Sequence, residues 1–430
     1  MSSKVNRVSS LGLCLWVLSL SVSAGVHAEE ETRFRLPEDI LTRPSLLDWP
    51  GGPKEALRAY GVELDLSLAQ FYQGVTAGDG RKDWQYGGKL DGIVTFDGHA
   101  LGLWKGLSLK VHQELVYGDD ALTQGAGTTI PENTAMAFPR VGGDDYNTSI
   151  VLSQAFDHGI SVSLGKFNML DAASRTPLLG GGGLDTFMHT GLAAPVSGVT
   201  PPYVIGSLLT LRTEPATFGL FIYDPRNAQD TDVIEHLFED GVTFSLSTTV
   251  PIKLLDRLGF QNFRAVYSTE EGIDLRDVPQ LQLPPELQND PRSKNGYWYL
   301  SYSFQQFLEH DEDDPSKGWG IFGQVAVTDG NPNPLGWLVL VGLGGNSPIP
   351  TRIEDRWGIG YFNYRMSGSL RSAAQRDLGL RYKDEAGFEM FYNVAVTPWL
   401  LITADLQFID PFPSENDDAV LLGLRAQLKF

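Results

Sequence analysis

Val420-Leu421-Leu422-Gly423-Leu424-Arg425-Ala426-Gln427-Leu428-Lys429-Phe430 closes the chain and decides its fold. Val420, Leu422, Leu424, Ala426, Leu428 and Phe430 fall on one parity; Leu421, Gly423, Arg425, Gln427 and Lys429 fall on the other. Successive side chains of a strand point to opposite faces, so one face is apolar throughout and the other mostly polar. Strands of soluble sheets average about 5–6 residues, whereas strands tilted across a bilayer need ~9–11. The length predicts a membrane-crossing strand rather than the last strand of a soluble sandwich.

The same alternation recurs upstream. Leu400, Ile402, Ala404, Leu406 and Phe408 alternate with Leu401, Thr403, Asp405 and Gln407. Phe388, Met390, Tyr392, Val394 and Val396 alternate with Glu389, Phe391, Asn393 and Ala395, and only Thr397-Pro398-Trp399 separates these two segments. Trp319 to Thr328, Val62 to Ala69 and Leu107 to Val116 read the same way. Further candidate strands lie near 89–97, 148–156, 159–167, 206–213, 217–224, 241–249, 260–268, 296–306, 336–344, 356–364 and 377–383. That makes 17, and single-chain bacterial barrels carry an even number, so 16 is expected.

The sign of the alternation sets the solvent. Lys110, Glu114, Arg264, Arg356, Arg381, Glu389, Asp405 and Arg425 share the polar face. Burying that many charges in a dry core costs several kcal/mol each unless every one is paired. Lipid against the apolar face and water in the lumen remove the cost. The expected fold is all-β: a transmembrane up-and-down antiparallel β-barrel of about 16 strands with a short N-terminal helical extension. Trp319, Trp337, Trp357, Tyr361, Trp399 and Phe430 cluster at strand ends, as interface girdles do.

Composition agrees. The 430 residues carry 53 acidic and 33 basic side chains, net −20. Lys4 and Arg7, an apolar run from Leu11 to Leu20 and Val26-His27-Ala28 read as a secretory signal peptide over 1–28, cleaved near Ala28. The remaining chain has net charge −22 (31 basic minus 53 acidic). A nucleic-acid partner needs a basic surface and is excluded. Cys14 is the only cysteine, so the exported chain has no disulfide, thiolate metal site or cysteine nucleophile. After residue 28 the longest run of apolar residues plus Gly is Leu335 to Gly345, against the ~20 that a spanning helix needs. Residues 29–60 do not alternate; Pro53 to Tyr60, stopped by Gly61, predicts a short helix in a periplasmic or lumenal extension, with the barrel proper at 61–430.

Three connections are long: about 118–147, 168–205 and 269–295. Loops of that length are commonly functional. The second, with Gly180 to Gly183 followed by Leu184-Asp185-Thr186-Phe187-Met188, can either fold inward and narrow a pore or stay outside. The acidic run Glu309-His310-Asp311-Glu312-Asp313-Asp314 reads as a solvated loop, and no metal site or cofactor is expected. No nucleophile elbow, His-Glu-x-x-His or phosphate loop is present, so no enzyme is expected.

Trp319-Gly320-Ile321-Phe322-Gly323-Gln324, then Asp329-Gly330-Asn331-Pro332-Asn333-Pro334, resembles the carbohydrate-selective porin family (OprB type). So do Asp355-Arg356-Trp357-Gly358-Ile359-Gly360-Tyr361, Glu389-Met390-Phe391-Tyr392-Asn393, Thr397-Pro398-Trp399-Leu400, Asp405-Leu406-Gln407 and Asp410-Pro411. Gly165-Lys166-Phe167-Asn168, Gly423-Leu424-Arg425 and the Leu57 to Gly61 stretch also match; the order and spacing carry the resemblance, most strongly over 319–430. It implies a 16-stranded channel of the Gram-negative outer membrane, passing mono- or small oligosaccharides to the periplasm and partly closed by inward loops. The partners implied are carbohydrate solutes, outer-membrane lipid and lipopolysaccharide. Homotrimer and monomer both stay open.

By parity the lumen receives Lys110, His112, Glu114, Arg212, Arg264, Tyr297, Tyr299, Arg356, Arg381, Lys383, Glu389, Asp405, Gln407 and Arg425. Arg forks and carboxylates bind vicinal hydroxyls, and a channel must hold its solute weakly. The alternatives are a general or cation-preferring porin and a soluble secreted carbohydrate-binding β-protein.

Overall fold

The computed structural model describes residues 40–79, 81–119, 127–173, 178–180, 182–229, 232–282, 290–311 and 317–430. The expected signal peptide lies outside the described residues. So does 312–314 of the acidic run; Glu309 and His310 end a strand and Asp311 begins the turn after it.

Sixteen strands form: β1 (Val62–Ala77), β2 (Trp84–Asp97), β3 (Leu107–Gly118), β4 (Tyr146–Ala155), β5 (Ile160–Asn168), β6 (Tyr203–Arg212), β7 (Thr217–Tyr223) and β8 (Thr243–Leu254). They continue as β9 (Arg257–Ile273), β10 (Ser293–His310), β11 (Gly318–Thr328), β12 (Leu335–Asn346), β13 (Arg356–Met366), β14 (Glu385–Thr397), β15 (Leu400–Asp410) and β16 (Ala419–Lys429). Each pairs antiparallel with its sequence neighbours, and β1 pairs with β16, so the barrel closes and has no edge. Closure is what satisfies every backbone group in lipid.

Connections alternate between the two ends. At one end they are short: residues 398–399 join β14 to β15, and Leu255-Asp256 joins β8 to β9. Both Leu255 and Asp256 have positive φ (51° and 60°), the hairpin geometry whose twist matches the flanking strands. At the other end the long connections 119–145, 169–202, 224–242, 274–292 and 367–384 gather. In outer-membrane barrels the short turns face the periplasm and the long loops face outward.

The last strand shows which way the faces point. Leu422 and Leu424 are 40% and 52% exposed, whereas Arg425 and Gln427 are 1% and 5% exposed. This inverts the pattern of a soluble sheet, as a lipid-facing barrel requires. Trp319 and Trp357 lie beside each other at the short-turn end, ring centres 6.1 Å apart.

Two expectations are corrected. Residues 377–383 form no barrel strand: Gly368–Leu378 is a helix, followed by a loop. Leu378, Leu380 and Tyr382 mimic strand alternation, but the capping pattern wins. Ser367 accepts from the amide of Leu370 at 3.3 Å, and Gly379 ends the helix at φ 72°. Arg381 and Lys383 therefore sit in the loop after that helix and not on the barrel wall. Nor is the lumen wet all round. Phe322, Leu338, Leu340, Phe362, Tyr364 and Phe391 point inward and form a buried core with the 169–202 connection. The apolar run Leu335 to Gly345 reads as it does because β12 is dry on its inner face as well as its outer one.

Before β1, residues 40–60 lie against the short-turn end. Leu46 donates its amide to the carbonyl of Lys429 (2.8 Å) and Trp399 Nε1 donates to the carbonyl of Ile40 (2.7 Å). The helix Pro53–Ala59 carries Lys54, whose buried ammonium reaches Ser45 Oγ (3.2 Å), Asp65 Oδ1 (3.4 Å) and the Phe430 carbonyl (3.1 Å).

Candidate functional site

The 169–202 connection enters the barrel because the inner wall leaves room for it. Gly358 and Gly360 face inward on β13, where a Cβ at Gly358 would stand 2.7 Å from the Phe187 ring and one at Gly360 2.8 Å from Leu192. Phe187 fills that gap and meets Phe391 and Phe322 edge-on, ring centres 4.9 and 5.7 Å away. His189 stacks on Phe362 at 4.2 Å, and its Nδ1 accepts from the Gly191 amide at 3.0 Å. Burial pushes the His189 imidazole down to about 3, so it is neutral at physiological pH.

Charged wall residues then bind the loop backbone. Glu389 on β14 accepts from the amides of Met188 and His189, the latter at 3.0 Å. Arg425 on β16 donates to the carbonyls of Gly183 (2.7 Å) and Thr186 (2.9 Å) and to Thr403 Oγ1 (3.0 Å). Tyr364 donates to the Gly191 carbonyl at 3.1 Å. The described part of the 119–145 connection braces this loop: Thr134 donates its amide to the Met188 carbonyl, and Gln407 Nε2 donates to the Glu132 carbonyl at 3.0 Å. Glu385 accepts from the amides of Thr129 and Ile130, both at 2.8 Å. Loop backbone buried against the wall is shielded from lumenal water, so these side chains supply its partners.

On β2 and β3, which only β1 separates from β16, the inner wall carries a buried charged cluster instead. Lys89 and Asp91 on β2 face Lys110, His112 and Glu114 on β3, with Asp171 brought over by the connection after β5. Lys89 Nζ donates to Glu114 Oε1 at 2.6 Å and lies 3.9 Å from Asp91 Oδ2. His112 Nε2 meets Asp91 Oδ1 at 2.8 Å and its Nδ1 meets Asp171 Oδ1 at 2.9 Å. An imidazole with a carboxylate at each nitrogen donates to both only as the imidazolium. Lys110 also pairs with Asp171. Burial by itself would raise the Asp171 carboxyl, but hydrogen bonds from His112 and Lys110 outweigh it and hold the group below the usual carboxylate range. Cations and anions thus alternate along the wall, Lys89, His112 and Lys110 against Glu114, Asp91 and Asp171, and their formal charges cancel. Asp91, His112 and Glu114 each present a ligand atom within 4.8 Å of the others, a spacing that suits a divalent ion. The Lys89 ammonium already supplies the positive charge there.

The sequence-predicted residues divide between these two regions. Lys110, His112 and Glu114 belong to the charged cluster of β2 and β3, where His112 and Glu114 are buried. Glu389, Asp405, Gln407 and Arg425 lie buried beneath the inward loop, which covers the faces of β14, β15 and β16. Tyr299 is buried in the apolar core, with Tyr297 packed against it. Arg264 donates to Ser245 Oγ (2.9 Å) and to Thr200 Oγ1 (3.2 Å) at the far end of the loop. Arg356 stands 3.8 Å from Asp185 of the loop. Arg212 is exposed at the short-turn end of β6. Lys89 and Asp91 were missed, although alternation around Leu90 marks both as inward. Asp171 was missed because nothing in a loop sequence says which wall it reaches.

Between this wall and the loop lies a cavity of about 420 Å³, lined also by Gly182, Leu184, Ser67, Gln427 and, on the short-turn side, Pro44, Ser45 and Lys54.

The sequence profile described as carbohydrate-selective porin, OprB family, matches residues 81–430. Porin B of Pseudomonas aeruginosa is 26% identical over 192 residues, a stretch spanning 40% of this chain and 40% of that relative. The high-pH structure of Pseudomonas putida OprB has a TM-score of 0.75 at 18% identity, covering 88% of this chain and 97% of that one. The low-pH structure of Pseudomonas putida OprB has a TM-score of 0.52 at 14% identity, covering 91% and 99%.

Proposed function

We propose that this chain, which belongs to the carbohydrate-selective porin family, is a channel through which carbohydrates diffuse passively across the bacterial outer membrane into the periplasm. The observation that carries the reading is the wall of Lys89, Asp91, Lys110, His112, Glu114 and Asp171. Its charges are paired among themselves, so it presents many hydrogen-bonding groups and little net field. A neutral polyol exchanges water for such groups at small cost, whereas an ion finds no site of unbalanced opposite charge. The large net negative charge of the chain does not decide selectivity, because it reports on the whole surface and not on the constriction.

The test is conductance. Protein reconstituted in a planar bilayer should pass ions, and glucose or a small oligosaccharide should reduce that current as it occupies the path. Conduction that no sugar alters would support a general solute channel instead. The basic and apolar opening of the chain supports export with cleavage near Ala28, which N-terminal sequencing of outer-membrane protein checks.

A further inference from the structure

We infer that the cavity between the inward loop and the 40–54 segment is a binding compartment for one pyranose-sized neutral polyol, held by hydroxyl donation to Asp91 Oδ2 and Gln427 Oε1. The inference rests on the carbohydrate-channel reading and adds to it a place of residence.

Both acceptors line the cavity, both residues are more than nine-tenths buried, and among the described residues neither oxygen has a hydrogen-bond partner. His112 Nε2 binds the other oxygen, Asp91 Oδ1, at 2.8 Å, and Lys89 Nζ stands 3.9 Å from Oδ2, beyond hydrogen-bond reach. A buried acceptor without a donor is costly, so a ligand that brings donors is favoured. Lys54, Lys89, Lys429 and His112 line the same cavity as Asp48, Asp65, Asp91, Glu114 and Asp171, so its charges nearly balance and a neutral ligand is favoured over a charged one.

Register explains why there is room. Gln427 on β16 lies opposite Ala69 of β1, and Asp91 on β2 lies opposite Ser67 of β1. The strand between the two acceptors therefore presents only small side chains. Two strand spacings separate the acceptor-bearing backbones by about 10 Å, a gap that one sugar ring with a hydrogen bond at each end fills. On the exit side Pro44 and Ser45 form the floor, pinned by the Lys54 ammonium to Ser45 and to the Phe430 carbonyl. A solute that has passed Gly182 and Leu184 is thereby delayed before release.

The experiment is glucose block of single-channel current in KCl. Wild-type protein should show half-block at a defined glucose concentration. Gln427→Met should raise that concentration about three- to tenfold, with sugar-free conductance changed less than twofold. Asp91→Asn should raise it further. Folding is checked by heat-modifiable migration. Should either variant fail to fold, Ser67→Leu, which fills the gap without removing an acceptor, should abolish block. Equal block of wild type and every folded variant overturns the compartment and leaves the channel reading intact. Absence of block by any sugar in wild type overturns the channel reading itself.

Discussion

Arg425 Nη1 donates to the carbonyl of Gly183 at 2.7 Å, so the last strand of the barrel holds the mouth of the inward loop. The same guanidinium takes the Thr186 carbonyl, and the residue is 1% exposed. A charge so placed is a clamp on backbone rather than a surface for solute.

Arg425→Met should release that clamp. Each charged hydrogen bond lost costs about 1.5–3 kcal/mol. The barrel, held by its backbone ladder, should still form. Single-channel recordings should show higher and noisier conductance than wild type; unchanged, quiet conductance would contradict the clamp.

Gly358→Val places a side chain where the Phe187 ring now lies. Overpacking of this kind costs about 1–3 kcal/mol, and the loop can escape it by leaving the wall. Limited proteolysis of the reconstituted protein should newly cut within 182–202. Protection equal to wild type would mean that the inner glycines of β13 do not seat the loop.

His189 makes loop docking sensitive to acid. Its imidazole is held neutral to about pH 3 when docked, against an ordinary value near 6.5. An undocked loop therefore binds the extra proton as pH falls below 6.5. Docking is strongest above that value and weakens by up to about 1.4 kcal/mol per pH unit between 6.5 and 3. Conductance fluctuation of wild type should rise across pH 6.5 to 4.5. His189→Asn, which keeps an acceptor for the Gly191 amide but cannot titrate, should show a flatter profile over the same range.

Lys89→Met leaves Glu114 and Asp91 without their ammonium partner. Breaking a buried pair from one side costs about 3–5 kcal/mol, and the wall gains net negative charge. The reversal potential in a KCl gradient should move toward cation selectivity. A shift toward anions, or none, would remove the balanced-charge account of why the path suits neutral solutes.

Leu424→Arg puts a charge on the lipid face, which costs roughly 2–4 kcal/mol near mid-bilayer. Thr95→Glu, opposite Lys110 on the inner face, meets an opposite charge instead. Urea unfolding in detergent-free liposomes should separate the two variants clearly, with the first far weaker.

The barrel was legible in the sequence because its cause is local. Every second residue of a spanning strand must suit lipid, so Val420, Leu422, Leu424, Ala426 and Leu428 announce the outer face without reference to any other part of the chain. The lumenal side of Lys110, His112 and Glu114 followed from the same parity. The false strand at 377–383 shows the limit of that signal, since Leu378, Leu380 and Tyr382 alternate by accident inside a capped helix and its exit. What only the tertiary structure decided is which partners the inward residues meet. Parity places Glu389, Asp405 and Arg425 inside in the same way as Glu114. Whether water or a loop covers them depends on Gly358 and Gly360 leaving room for Phe187, some 170 residues away in sequence. Such long-range shape complementarity has no period along the chain, and so the sequence by itself settled the wall while the fold decided where on it the loop packs.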